Sequence, residues 1–203
     1  MEKVISTKEK ILITSLKLFS EKGFDGVSMR EIASAVGIKG ASIYAHYKGK
    51  QDIFEAIFEE MKSRYDQIAT TLFIPDAPNE DAANLFANVD ISVLINMTER
   101  LFSLYAQDEF MVLFRRLLVS EQNHNETAAK YLREYYLEAP VMFQTQLFTM
   151  IQAKGAFPGR DARTLAINFY SPIYYELSAF DLGKPYEECL MDLKKHVEDF
   201  SKG

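Results

Sequence analysis

The stretch GIKGASIYAHYKGK, residues 37–50, holds three lysines, three glycines, two tyrosines and no acidic residue. Its final Gly-Lys pair suggests a phosphate-binding loop, but such a loop needs a glycine five residues before that pair and a Ser or Thr directly after it. The chain has Tyr44 and Gln51 at those positions. The lysines therefore do not belong to a nucleotide-binding loop, and a different anionic partner has to be considered.

Charge is unevenly distributed along the chain. The net charge of the 203 residues is -6, whereas residues 1–50, here called the head, hold nine basic and five acidic residues, which leaves +4 for the head and -10 for residues 51–203, the body. A basic head on an acidic body is expected where only the head meets a polyanion. An ordinary solvated surface is the alternative that charge alone leaves open.

Composition predicts an all-α globular protein. Hydrophobic residues make up 48% and charged residues 26%, and the few glycines and prolines give little support for strands and turns. The single cysteine, Cys189, permits no intrachain disulfide and predicts a reducing, cytoplasmic setting. The first residues lack the apolar core of a signal peptide, and no apolar run reaches the roughly 18 residues of a membrane span, so no membrane partner is expected.

Helix caps organise the head. Residues 6–9 and 28–31 each have the Ser-x-x-Glu pattern that caps a helix N-terminus, and apolar residues follow both at helical spacing. Gly37 lies where the second helix needs a left-handed stop, and residues 41–47 predict a short third helix. Two short helices joined by a tight glycine turn are typical of a helix-turn-helix, whose second helix enters the major groove of DNA.

The head resembles the DNA-binding domain of tetracycline-repressor-type (TetR family) transcriptional regulators. The matching positions over residues 7–58 are Ile11-Leu12, Leu18-Phe19, Gly23-Phe24, Ser28, Ile32-Ala33, Gly37-Ile38, Ser42-Ile43-Tyr44, His46-Tyr47-Lys48, Lys50 and Ile53-Phe54. The chain departs from the family at Lys39 and Ala41, where Ser and Gly are frequent. The resemblance implies a three-helix DNA-binding domain at residues 1–50 and a larger helical domain at residues 51–203 that binds a ligand and dimerises.

The resemblance also implies a set of residues that contact double-stranded DNA. Lysine and tyrosine donate hydrogen bonds to phosphates, and small residues let the backbone approach the groove, where an alanine can touch a thymine methyl. The set is Ser28, Lys39, Gly40, Ala41, Ser42, Tyr44, His46, Tyr47 and Lys48. Ile43 is expected in the core. Packing in the core stays open for Tyr44, and a capping role at the helix C-terminus stays open for His46.

The body is predicted to continue as helices, with prolines marking their limits. Pro75 and Pro78 should end the first, and Pro140 and Pro172 should kink or divide two others. The predicted helices span residues 50–73, 81–106, 108–122, 126–154, 161–181 and 185–201.

Aromatic and methionine side chains are dense in the middle of the body. At helical spacing they are typical of a core, although Tyr and Met also build adaptable apolar pockets. The resemblance to a family whose bodies bind small effectors favours a pocket for an unidentified small molecule. The candidate residues are Met97, Arg100, Phe102, Tyr105, Phe114, Tyr135, Met142 and Tyr170.

The last two predicted helices carry narrow apolar stripes. Such stripes are used between paired helices, and the resemblance implies that two helices from each of two chains form a four-helix homodimer interface. The candidates are Leu165, Phe169, Ile173, Leu177, Tyr186, Leu190, Leu193 and Val197. An intramolecular seam is the alternative.

A ligand-responsive DNA-binding regulator, acting as a repressor on a palindromic operator, is the leading functional hypothesis. An enzyme is not expected, because the chain has no G-x-S-x-G, H-E-x-x-H or Rossmann glycine pattern. Its three histidines are far apart in sequence and it has a single cysteine, so neither a metal nor another cofactor is expected. The alternative is a DNA-binding or adaptor protein with no small-molecule switch.

Overall fold

The computed structural model describes residues 5–71, 78–81, 83–84 and 90–202, and these residues form helices and no strand. The all-α prediction is confirmed. The α-helices are α1 (Thr7–Lys22), α2 (Met29–Val36), α3 (Lys50–Thr71), α4 (Ile91–Gln107), α5 (Glu109–Glu121), α6 (Glu126–Arg133), α7 (Ala139–Gln152), α8 (Ala162–Asp181) and α9 (Tyr186–Phe200). A 3₁₀ segment, Ser42–Ala45, lies between α2 and α3, and a π-helical segment, Glu134–Glu138, joins α6 to α7.

The chain divides into two compact units that do not follow sequence order. The first unit contains Met1–Thr71 and Glu109–Lys130, and the second contains Leu72–Asp108 and Tyr131–Gly203. Helix α5 therefore packs with α1–α3, and α6 continues from the first unit into the second. The predicted domain boundary between residues 50 and 51 stays a prediction. The compact units describe packing, and they place α3 and α5 of the predicted body in the same unit as the head.

A row of aromatic rings holds the first unit together. Phe24, in the loop after α1, lies 5.3 Å from Phe19 and 4.7 Å from Phe54, measured between ring centroids. The row continues from Phe54 to Phe58 at 4.9 Å and from Phe58 to Phe114 of α5 at 5.3 Å. Tilted and edge-on rings at these separations are favourable beyond their burial of apolar area. The row therefore joins α1, α3 and α5 into one core.

A hydrogen bond fixes the loop after α1 onto the end of α5. The backbone N–H of Phe24 donates to the Glu121 carboxylate over 2.9 Å. Gly23, directly before it, has a φ of 75°, and a Cβ there would lie 3.1 Å from the same carboxylate oxygen. Glycine is required at this position both for the left-handed backbone and for the close approach of Glu121.

The second unit is a bundle of α4, α7, α8 and α9. Its buried core takes side chains from all four helices, including Phe102, Phe148, Leu165, Ile173 and Leu193. Half-buried aromatic residues surround that core, among them Tyr105, Phe169, Tyr174, Phe180 and Tyr186. The dense aromatic composition of the body is therefore used first of all for packing.

The structure confirms most predicted helix positions in the body and refines others. The helix predicted at 126–154 is divided, because Pro140 lies at the start of α7 and has no N–H to continue the preceding turns, which relax into the π-helical segment. Pro172 does not divide α8, which runs through it. The helix predicted at 81–106 is not continuous, because Asp90 has an extended backbone and caps a new helix that begins at Ile91. Of the stop predicted at residues 75–78, residues 75–77 lie outside the described residues, and Pro78 is non-helical.

Candidate nucleic-acid interface

Both predicted caps of the head are present. The Ser6 hydroxyl accepts a hydrogen bond from the N–H of Glu9, and the Ser28 hydroxyl accepts one from the N–H of Glu31, each over 3.2 Å. Gly37 ends α2 in the left-handed conformation, with φ 80° and ψ 29°. The chain can therefore turn sharply between α2 and the segment that follows, as a helix-turn-helix requires.

The third helix of the head, which we call the recognition segment, is shorter than predicted. A helix was expected over residues 41–47, whereas the structure has a 3₁₀ turn over Ser42–Ala45, and Ala41 before it makes no side-chain cap. Neither Lys39 nor Ala41 has a side-chain acceptor for the first N–H groups. A 3₁₀ segment closes within three residues and is the usual form for so short a piece.

Most residues predicted to contact DNA are exposed. Ile43 is fully buried, as expected, and anchors the segment. Tyr44 is 57% exposed, which excludes its packing in the core. His46 is half-buried at the end of the segment. The exposed members of the predicted set are Ser28, Lys39, Gly40, Ala41, Ser42, Tyr44 and Lys48. We call this set, without Ser28, the recognition surface.

Tyr47 requires a correction. It was predicted to hold a phosphate, but its side chain is only 3% exposed and its hydroxyl donates to the carbonyl oxygen of Lys8 over 3.4 Å. Burial, followed by the negative charges of Asp52 and Glu60, raises the pKa of Tyr47, so the phenol remains a donor at neutral pH. Its hydroxyl is used inside the head, where it connects the start of α1 to the end of the recognition segment.

The three lysines of the opening stretch have different roles. The Lys50 ammonium donates to the carbonyl oxygen of Phe24 over 2.6 Å and lies 4.3 Å from the centre of the Phe24 ring. Lys50 is therefore committed to the core of the first unit. The Lys39 and Lys48 side chains are exposed and form no ion pair with another described residue. These two lysines can meet an external polyanion.

The predicted pocket residues are divided between the two units. Phe114 is fully buried in the first unit, in the aromatic row described above. The other seven belong to the second unit, where Phe102 and Tyr170 are buried, Tyr105 and Tyr135 are half-buried, and Met97, Arg100 and Met142 are exposed. Met142 alone among the eight lines the open groove between α7 and α8, together with Leu137, Arg163 and Ile167.

A tyrosine cluster in the second unit includes part of the predicted pocket. The Tyr170 hydroxyl donates to the carbonyl oxygen of Tyr136 over 3.0 Å. The Tyr136 ring lies 6.2 Å from the rings of both Tyr105 and Tyr174. The cluster therefore joins residues of α4, the π-helical segment and α8, and it places phenol hydroxyl groups next to the apolar core of the second unit.

The predicted dimer interface also requires a correction. Leu165, Ile173, Leu177, Leu193 and Val197 are at most 3% exposed within a single chain. The remaining three, Phe169, Tyr186 and Leu190, are half-buried against the core of the second unit. The stripes of α8 and α9 pack on each other and on α4. The five buried residues fit the intramolecular alternative, because a fully buried side chain cannot contact a partner, whereas an interface at Phe169, Tyr186 and Leu190 stays a prediction.

The described residues contain neither a candidate metal cluster nor an exposed thiol. No group of three or more His, Cys, Asp or Glu side chains there is placed to hold a metal ion. Cys189 is buried, and its burial, followed by its hydrogen bond to Glu176, raises the pKa of its thiol to about 11. This thiol is a packing group at neutral pH. No helix in the described part of the chain combines the length and apolar character needed to cross a membrane.

A capped helix-turn-helix with an exposed basic surface, followed by a helical bundle, defines the class of DNA-binding transcriptional regulators. The comparisons agree. Residues 11–57 match the model of the family described as bacterial regulatory proteins, tetR family. Over these residues the chain has the DNA-binding part of a TetR-family regulatory protein.

One relative is the negative transcriptional regulator IcaR of the biofilm operon icaADBC in Staphylococcus aureus. The two are 25% identical over 146 residues, which is 70% of this chain and 75% of IcaR. AibR bound to isovaleryl coenzyme A and operator DNA has the same fold, with a TM-score of 0.61 at 18% identity over 93% of this chain and 96% of AibR. FadR of Bacillus subtilis bound to stearoyl-CoA has a TM-score of 0.58 at 17% identity over 93% of this chain and 96% of FadR.

Proposed function

We propose that this regulator is a repressor that binds a palindromic operator as a homodimer and leaves it when a small, mostly apolar effector binds. The observation that carries DNA binding is the recognition surface, which is exposed, basic and supported from beneath by the buried Ile43. IcaR, a negative regulator, supports the direction of control. Lys39, Ser42 and Tyr44 face base edges, and Lys48 holds a phosphate.

The effector site is proposed within the second unit, at the tyrosine cluster of Tyr105, Tyr136, Tyr170 and Tyr174. Phenols inside an apolar core offer the few polar groups that orient a ligand in a mostly apolar site. The acyl-coenzyme A ligands of AibR and FadR support an effector with an apolar part. The chain crosses from one unit to the other after α3, before α5 and within α6, so each of these helices can transmit a change to the head.

The homodimer is proposed to form through the outer faces of α8 and α9. Because the inner stripes are buried, the available apolar side chains are Ile167 and Tyr175 on α8 and Met191 on α9, which are 39%, 64% and 51% exposed. A two-fold axis between two heads relates their recognition surfaces, so the DNA half-sites should be inverted repeats.

The decisive experiment is selection of bound duplexes from a random DNA library with the full chain. We expect an enriched inverted repeat, and a selection that enriches no sequence would overturn the proposed specific regulator.

A second experiment tests the switch: compounds that raise the melting temperature of the protein are titrated into the preformed complex of protein and DNA. Release of the DNA supports the switch, because an effector that favours one state must weaken the other. Ligands that bind without changing operator affinity would instead favour the alternative, a DNA-binding protein with no switch.

A further inference from the structure

We infer that Lys8, in the first turn of α1, is a second phosphate-binding residue of the head, held next to Lys48 by the buried ring of Tyr47. The inference rests on the proposed DNA binding and adds a contact outside the recognition surface. Its occupant is the sugar-phosphate backbone of a DNA duplex.

The contacts of Tyr47 place Lys8 at the edge of the interface. The Tyr47 hydroxyl donates to the Lys8 carbonyl oxygen over 3.4 Å, and the Lys8 ammonium lies 5.4 Å from the centre of the Tyr47 ring. Lys48 follows Tyr47 directly in the chain. Both lysine side chains are exposed, whereas the tyrosine between them is buried. The start of α1 therefore lies against the end of the recognition segment.

The helical register distinguishes Lys8 from the other lysines of α1. Lys8 is three residues before Ile11 and seven before Ser15, both of which are buried, so it lies at the end of the inner face of α1. Lys10 is two residues further along, which corresponds to about 200° around the helix axis. Lys10 is exposed on the outer face. It carries the same charge on the same helix turn, which makes it a matched control.

The charges around Tyr47 leave Lys8 available for a phosphate. Neither Lys8 nor Lys48 forms an ion pair with another described residue. Two acidic residues lie near Tyr47, and each has another partner. Asp52 accepts the backbone N–H of Lys48 over 2.8 Å, and Glu60 pairs with Arg64 at 2.8 Å. An ammonium group that has no carboxylate partner among the described residues can neutralise a phosphate and release its counterion.

The test compares the salt dependence of operator binding for the wild-type chain, Lys8→Ala and Lys10→Ala. We expect Lys8→Ala to make the slope of log affinity against log salt less steep by about 0.9 for each bound head, and Lys10→Ala to leave the slope unchanged. For one head, a fourfold rise in salt should then cost the wild type about 3.5-fold more affinity than it costs Lys8→Ala. Both the operator and a random duplex should show the change, because a phosphate contact carries no sequence information.

Two further variants distinguish the charge of Lys8 from its packing. Lys8→Arg should keep the wild-type slope, and Lys8→Gln should reproduce the effect of Lys8→Ala with a melting temperature close to that of the wild type. A slope for Lys8→Gln that equals the slope for Lys10→Ala would overturn the inference while leaving DNA binding intact. A wild-type chain that binds no duplex at all would overturn the proposed function itself, and the inference with it.

Discussion

In both the head and the last two helices the apolar face is turned inward, but the residues that remain exposed differ between the two regions. In the head, Ile43 and Tyr47 are turned inward, and the recognition surface that is left exposed consists of small or basic residues apart from Tyr44. In α8 and α9 the apolar stripe is also turned inward, but exposed apolar residues remain beside charged ones, as at Tyr175 and Met191. A periodic stripe thus identifies what a chain buries within itself, and a binding surface has to be sought among the residues that are left.

The largest expected effect tests whether the stripe of α9 is internal. Leu193 is 1% exposed and Met191, on the same helix, is 51% exposed. Leu193→Ala should lower the free energy of unfolding by about 2–5 kcal/mol, since it removes buried methyl groups and leaves a cavity. Met191→Ala should change it by less than about 0.5 kcal/mol. Urea denaturation of both variants measures the difference, and equal losses would contradict the internal seam.

The next effect concerns the outer surface of α8. Replacing Ile167 and Tyr175 together by Asp should weaken dimerisation on the order of 100-fold, about 2.8 kcal/mol, because the charges would be buried at a two-fold interface. Val119→Asp, at an exposed apolar position of α5, is the control and should leave the dimer intact. Sedimentation equilibrium measures the dissociation constant. A double variant that remains dimeric with unchanged affinity would place the interface elsewhere.

A smaller effect should appear at the recognition surface. Tyr44→Ala should change the preferred base at one position of each half-site by about 1–3 kcal/mol if the phenol contacts a base edge directly. It should leave the melting temperature unchanged, since Tyr44 is exposed. Repeating the selection with the variant measures the preference. An unchanged preference, with binding weakened equally to every sequence, would assign Tyr44 to the phosphates instead.

The sequence predicted the head better than the body for a physical reason. Capping serines and the left-handed Gly37 act through their immediate neighbours, so their positions can be predicted from short patterns. The burial of Leu193 depends on contacts between distant helices, and a stripe of this kind has the same spacing whether its partner is in the same chain or in another. The division of the 126–154 helix was predictable at Pro140, whereas the grouping of α5 with the head was not.

The inward orientation of Tyr47 shows the same limit at a single residue. A tyrosine beside an exposed lysine is equally suited to donate to a phosphate or to a backbone carbonyl. Only the placement of α1 brings the carbonyl oxygen of Lys8 within reach of the phenol. The helical spacing of α1 places Lys8 on the same face as Ile11. That spacing predicts the hydrogen bond to Tyr47 only once the packing partner of α1 is known.

The smallest expected effect tests a surface contact that supports the helix-turn-helix. Lys22, at the end of α1, forms an ion pair with Glu31 in the first turn of α2. The hydrogen bond between them lowers the pKa of the Glu31 carboxyl and raises the pKa of Lys22. A carboxyl whose folded pKa is depressed contributes stability above its unfolded pKa, and this contribution is lost as pH falls through the folded pKa.

Glu31→Gln keeps a hydrogen-bonding group of similar shape and removes the charge. Its melting temperature should therefore be slightly below that of the wild type at pH 7 and equal to it near pH 3, and added salt should reduce the difference at pH 7, because both side chains are partly exposed. A difference that persists in acid and is insensitive to salt would show that Glu31 acts through packing at the start of α2 rather than through its charge.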